Sequence, residues 1–219
     1  MGETLENLLD LYQENPTVKS LVELLNLGGF PIGSVIDGLL GKYITEYKEK
    51  KIKIFFQQNT GEAVLSPDVI ENQEFLHAYF STVNYVLRTR SDEKIERFAK
   101  ILKHLYKGEI NIDQFEDYTA IFNELTDREF AILMIKFKYE EKFADKDEVF
   151  RMKNMSSYWD DFKLEVCNKI GITTEELNPM LLRIQRTGCY RKPDNYLGAS
   201  SDQCGLTTEL FNRIYQMVK

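Results

Sequence analysis

Apolar residues recur three and four positions apart along most of this chain, and this spacing constrains the fold more than any other feature. Residues at that interval share one face of an α-helix, which buries that face against its neighbours. The pattern predicts a mainly α-helical protein. Clear examples of such faces are Leu5, Leu8, Leu9 and Leu11, then Phe75, Leu76, Tyr79, Phe80 and Val83, and later Ile95, Phe98, Ala99, Leu102 and Leu105.

Start and stop signals divide these stripes into separate helices. A serine or threonine that accepts a backbone N–H favours a helix start, and a glycine just past the last turn favours an end. Thr126 with Glu129, and Thr173 with Glu176, have the spacing of capping boxes. Further predicted starts are Pro16, Pro31, Ser66–Asp68, Ser91–Glu93, Ser156 (for a helix to Ile170) and Thr207, and the predicted ends are Gly28–Gly29, Asn59–Gly61, Gly108, Gly171 and Gly188.

Charge is distributed unequally between two parts of the chain. The 219 residues carry a formal net charge of -7, and 43% of them are hydrophobic, which is typical of a soluble globular protein. Residues 1–124 hold 13 basic and 20 acidic residues, whereas residues 125–219 hold 15 of each. We expect an acidic helical domain over 1–124 and a second domain over 125–219. The overall balance excludes a generally basic nucleic-acid coat protein.

The second part resembles the winged helix-turn-helix superfamily. The residues that carry the resemblance are Gly171–Leu177 followed by Leu181–Tyr190, similar to a recognition helix and first wing strand, and Gly205–Thr207, similar to the strand leaving a wing. The resemblance covers about the last 95 residues, 125–219. It implies a winged-helix-like domain with a small β-hairpin, and the apolar spacing of the first part predicts an N-terminal helical bundle before it.

Two stretches of the first part, 29–40 and 88–94, are similar to segments of uncharacterised bacterial helical proteins. That resemblance implies a bacterial or phage origin and indicates no function.

Sequence motifs of catalysis are missing from the chain. Gly41-Lys42 is followed by Tyr43 and fails the P-loop pattern, and no serine lies in a nucleophile elbow. The adjacent carboxylates at 140–141, 160–161 and 175–176 point about 100° apart on a helix, so we expect them to be solvated. The three cysteines form no close pair for zinc and are expected to be reduced thiols. We therefore expect a cytoplasmic protein without enzymatic activity, cofactor or metal.

Four basic side chains fall within ten residues that contain no acid: Arg183, Arg186, Arg191 and Lys192. They are candidates for contact with nucleic-acid phosphates, since such contacts supply most of the affinity for DNA. Glu175 and Glu176, at the start of the same predicted helix, would repel phosphates. Pro179 either kinks that helix or begins a shorter helix capped by Asn178.

The function we expect is regulation or assembly through protein–protein contacts, with self-association by the first domain. The candidate interaction segment consists of Phe30, Ile32, Val35, Ile36, Leu39 and Leu40. The alternative is a DNA-binding regulator that uses the four basic side chains. A third hypothesis, a membrane-active protein, rests on the glycine-rich apolar segment 27–41, although we expect no stable membrane insertion because no uncharged apolar run reaches about 18 residues.

Overall fold

A computed structural model describes the protein over residues 72–143, 148–192 and 204–219, together with helical positions 47, 50, 51, 54, 55 and 58. The chain divides into two compact units, Met1–Ile112 and Asp113–Lys219. In the described residues both are built mainly from α-helices, as the apolar spacing predicts.

In the first unit, two helices pack against each other: α1 (Gln73–Arg88) and α2 (Asp92–Tyr106). Their shared core includes Phe75, Val86, Ile95 and Leu102, all buried, and the rings of Tyr85 and Phe98 stack with centroids 5.4 Å apart. The Ser91 side chain caps α2 by accepting the Lys94 N–H, as predicted. α1 begins at Gln73, and the Asn72 side chain caps it by accepting the Phe75 N–H. The predicted starts at Pro16, Pro31 and 66–68 and the predicted ends at 28–29 and 59–61 lie outside the described residues.

Five helices belong to the second unit: α3 (Ile112–Glu124), α4 (Asp127–Glu141), α5 (Glu148–Ile170), α6 (Thr174–Arg186) and α7 (Glu209–Val218). The first residue of α3, Ile112, is the last residue of the first unit. The division between the units falls 12 residues before the boundary predicted after residue 124. The two-domain organisation stays a prediction. α5 begins at Glu148 rather than at Ser156, so it is longer than the sequence indicates.

A two-stranded antiparallel sheet separates α6 from α7. It consists of β1 (Tyr190–Arg191) and β2 (Leu206–Thr207), with Tyr190 opposite Thr207. Thr207 therefore belongs to a strand, and the predicted cap at this position is wrong. Thr208 caps α7 by accepting the Phe211 N–H.

Aromatic rings join α3, α4 and α7 in the core of the second unit. Phe130 lies with its ring centroid 5.5 Å from that of Phe122 and 5.9 Å from that of Phe211. Phe137 lies 5.0 Å from Tyr215 by the same measure. α4 also packs along α5 and contacts α6 and β2, so it is the helix around which this unit is assembled.

Candidate interaction surface

Local sequence signals fix both ends of α6. The Thr173 hydroxyl accepts the Glu176 N–H, and the Glu176 carboxylate accepts the Thr173 N–H, which completes the predicted capping box. Gly188, with φ of 77°, adopts the left-handed conformation that favours glycine beyond a helix end. Pro179 lies inside this helix, so the alternative of a shorter helix capped by Asn178 is wrong.

α6 buries one face and exposes the opposite one. Leu177, Leu181 and Ile184 are buried in the core of the second unit. The exposed side chains that project away from that core form a stripe of one acid, two apolar residues and one base, which we call the outer face: Glu175, Pro179, Leu182 and Arg186. Leu182, an apolar residue of this face, is 55% exposed.

The C-terminal end of the outer face borders a shallow depression lined by Leu182, Arg183, Gln185 and Arg186. The structure therefore brings two of the four candidate phosphate ligands, Arg183 and Arg186, to one place. Arg191 is exposed in β1 and Lys192 follows it half-buried, beyond the turn that ends α6.

Arg183 is committed to a contact within the protein. Its Nε lies 3.1 Å from Oε1 of Glu129, whose side chain is only 2% exposed. Oε2 of the same carboxylate accepts the backbone N–H and the hydroxyl of Thr126, in the capping box that begins α4. Because Glu129 neutralises Arg183, Arg186 is the basic side chain of this depression for which the described part of the chain shows no counter-charge.

A buried polar cluster holds β2 against α4 and α5. The Thr207 backbone N–H donates to the Glu140 carboxylate, with its nitrogen 3.1 Å from Oε1 and 3.2 Å from Oε2. The Thr207 hydroxyl also donates to this carboxylate. Lys136 Nζ lies 3.0 Å from Glu140 Oε1, and Arg151 Nη2 lies 3.2 Å from Oε2. Glu140 is only 2% exposed, so the prediction that both Glu140 and Glu141 are solvated is wrong for Glu140. Glu141, Asp160, Asp161, Glu175 and Glu176 are exposed, as predicted.

Aromatic rings surround the Lys136 ammonium. Nζ donates to the Tyr158 hydroxyl at 3.1 Å and lies 4.4 Å from the Tyr158 ring centroid and 5.4 Å from that of Trp159. Burial lowers the pKa of Lys136, while Glu140 opposes that shift. The sequence does indicate that these two residues are buried, because Lys136 and Glu140 follow Ile132 at four-residue intervals on the buried face of α4. Lys136 and Glu140 are almost fully buried and Arg151 is partly exposed, and the contacts of the cluster anchor β2.

Two of the predicted sites are outside the described residues. These are the interaction segment Phe30, Ile32, Val35, Ile36, Leu39 and Leu40, and the apolar segment 27–41 on which the membrane hypothesis rests. Both stay predictions. Across the described parts of the chain, no helix combines the length and the apolar character needed to cross a bilayer.

Comparison with known proteins gives one partial likeness. No protein-family model matches the chain, and no solved structure matches it. A stretch of 92 residues is 34% identical to the 2-oxoadipate dehydrogenase complex component E1 of Xenopus laevis. It covers 38% of this chain, and the chain spans about a tenth (10%) of the length of that protein.

Proposed function

We propose that this protein is a non-catalytic regulatory or assembly protein of the cytoplasm, and that it acts through protein–protein contacts. In this proposal the second unit is a winged-helix-like module. The order α4, α5, α6, β1, β2, α7 supports that assignment, since three helices followed by a small antiparallel ribbon and a helix is the order of the winged helix.

The outer face of α6 carries this proposal. An interface core is enriched in apolar residues and arginine, whereas a surface that binds DNA needs several cations facing the phosphates. The outer face offers the exposed Leu182 and Pro179 between one acid and one base. Arg183, beside it, is neutralised by Glu129. This combination favours a protein partner over a nucleic acid.

Site-specific photo-crosslinking tests the proposal, with a benzoylphenylalanine residue placed at position 182 or, as a matched control, at position 164. Leu164 in α5 is 63% exposed, so both replacements put the probe on the surface of the second unit. We expect a discrete protein adduct from position 182 and none from position 164. Nucleic-acid adducts alone at position 182, or the same adducts from both positions, would contradict the proposal.

The second candidate function is DNA binding by Arg183, Arg186, Arg191 and Lys192. The observation in its favour is that Arg183 and Arg186 border one depression, with Arg191 exposed on the strand that follows.

Fluorescence anisotropy with a duplex of random sequence tests DNA binding. DNA binding predicts a saturable signal whose logarithmic salt slope is about -0.9 for each phosphate contacted. Arg186→Ala with Arg191→Ala should flatten that slope, whereas Lys138→Ala, at an exposed position of α4, should leave it unchanged.

A further inference from the structure

When α6 is turned end to end, its outer face again presents two apolar residues between two charged residues, with the acid and the base exchanged. An α-helix advances about 100° per residue, so Glu175, Pro179, Leu182 and Arg186 all lie within about 60° of one another around the axis. The three buried residues Leu177, Leu181 and Ile184 lie on the opposite side. The stripe is exposed along its whole length, with the acid near one end and the base near the other.

The spacing of the stripe makes it complementary to itself. If a second α6 lies antiparallel across the first, with a two-fold axis between positions 180 and 181, residue numbers on facing helices sum to 361. Glu175 then faces Arg186 of the second copy, and Pro179 faces Leu182 of the second copy. In an isologous interface each of these contacts occurs twice. Two opposite-charge pairs thus enclose two apolar contacts.

The residues beside the stripe are compatible with the same arrangement. Across this axis Arg183 faces Asn178 and Glu176 faces Gln185, so no two like charges oppose each other. Arg183 and Glu176 are already held by Glu129 and by the Thr173 cap. The polar groups of its own backbone and of Thr173 lower the pKa of Glu175, which favours the charged form of this carboxyl group.

We propose that a second copy of this chain docks antiparallel on the outer face of α6, with Glu175 paired to Arg186 and Leu182 packed on Pro179 across the two-fold axis. This inference rests on the proposed function and names the partner. The occupant is argued from charge complementarity, since the face carries both signs at mirrored positions. A partner with a uniformly acidic or basic surface would match only one end of it.

Charge reversal in the purified full-length chain tests this arrangement by sedimentation velocity over a range of concentrations. Glu175→Arg and Arg186→Glu each turn both charge pairs into repulsions, so each variant alone should self-associate roughly tenfold or more weakly than the natural chain. An equal mixture of the two variants should regain association, because each mixed dimer contains Arg opposite Glu at both ends. Asp161→Arg, which reverses an exposed charge on α5, should change nothing.

Several results would overturn the inference. They are a natural chain that is monomeric at every concentration, single variants that associate like the natural chain, and a mixture that fails to regain association. A monomer that still gives a protein adduct from position 182 would remove the second copy as partner and leave the proposed function standing. Saturable, salt-dependent binding of duplex DNA that is lost in Arg186→Glu, without protein adducts from position 182, would remove both.

Discussion

Arg183 in the last turn of α6 and Glu129 in the first turn of α4 form an ion pair, with Nε 3.1 Å from Oε1, across 54 positions of the chain. Glu129 also completes the capping box with Thr126. One carboxylate therefore secures the start of α4 and attaches the C-terminal end of α6 to it. Arg183 acts in this way as part of the scaffold that presents the outer face.

Arg183→Ala should destabilise the protein more than Arg186→Ala. The first change removes the cation next to a buried carboxylate, and we expect a loss of about 1 kcal/mol, reduced from the value for a buried pair because the Arg183 side chain is 52% exposed. The second change removes an exposed side chain and should stay within about 0.5 kcal/mol. Urea unfolding followed by the fluorescence of Trp159 measures both. Equal losses would show that the Glu129 contact contributes nothing to stability.

Glu140→Ala should be among the most damaging single changes in the second unit. It leaves the Lys136 ammonium buried without its carboxylate and releases the Thr207 N–H, and breaking such a pair costs about 3–5 kcal/mol. Glu141→Ala is the control, because its side chain is exposed one position away. Chemical denaturation should separate the two variants clearly. A Glu140→Ala protein as stable as Glu141→Ala would mean that the cluster does not anchor β2.

Local and long-range features of this fold differ in how far the sequence predicts them. The capping boxes at Thr126 and Thr173 depend on residues three positions apart, so the pattern alone identifies them. The contact between Arg183 and Glu129 depends on how α4 and α6 pack, which no local pattern contains. Glu140 continues the buried stripe of Ile132 and Leu133 on α4, but its hydrogen bond to Thr207 in β2, 67 positions away, depends on how the elements pack.

The same distinction between local pattern and packing applies to the candidate surface on α6. The cluster of four basic residues is visible in the sequence, and Arg183 and Arg186 do border one depression. The ion pair between Arg183 and Glu129 and the exposure of Leu182 could not be predicted from the sequence, since both depend on packing in the second unit. The sequence-based interpretation of α6 therefore emphasised its cations and overlooked the apolar residues between Glu175 and Arg186.

Gly205→Ala should disrupt the two-stranded sheet. A Cβ at this position would lie 2.4 Å from Tyr190 Cζ and 2.6 Å from the Arg191 carbonyl oxygen, so the strands would have to move apart. We expect a loss of about 2–3 kcal/mol, typical of overpacking in a close contact. Gly171→Ala is a useful comparison, because its φ of +71° is strained for alanine but its Cβ meets open space, and it should cost about 1 kcal/mol. Thermal unfolding would rank them, and the reverse order would contradict this packing.

Stability should fall as the pH rises above 10. Burial raises the pKa of Tyr79, Tyr158 and Tyr190, and burial together with a hydrogen bond to Glu165 raises the pKa of Tyr139 to about 12, from an ordinary value of 10.0. Above pH 10 the unfolded chain therefore loses protons that the folded chain keeps, so unfolding becomes more favourable. Burial also raises the pKa of the Cys189 thiol above its ordinary value of 9.0, so this thiol adds to the loss of stability. Lys136 has the opposite sign, because its pKa is lowered, but it is one group against five.

Urea midpoints at pH 8, 9, 10 and 11, together with tyrosinate absorbance near 295 nm, measure this dependence. We expect a small decline from the ordinary thiol pKa of 9.0, contributed by Cys189, and a steeper decline above the ordinary tyrosine pKa of 10.0 that accompanies delayed tyrosine ionisation. A midpoint that stays level through pH 11, or tyrosines that all ionise near pH 10 in the folded protein, would contradict the burial of these hydroxyls.

The most direct measurement of the central claim compares the proteins that co-purify with tagged Leu182→Asp and tagged Leu164→Asp, quantified by mass spectrometry against the natural chain. Both changes place one carboxylate on an exposed leucine of the second unit, at 55% and 63% exposure, so neither should perturb the fold. If the outer face of α6 is the interaction surface, Leu182→Asp loses bound protein, including a second untagged copy of the chain, while Leu164→Asp retains it. Equal recovery by both variants, or a loss confined to Leu164→Asp, would contradict the claim.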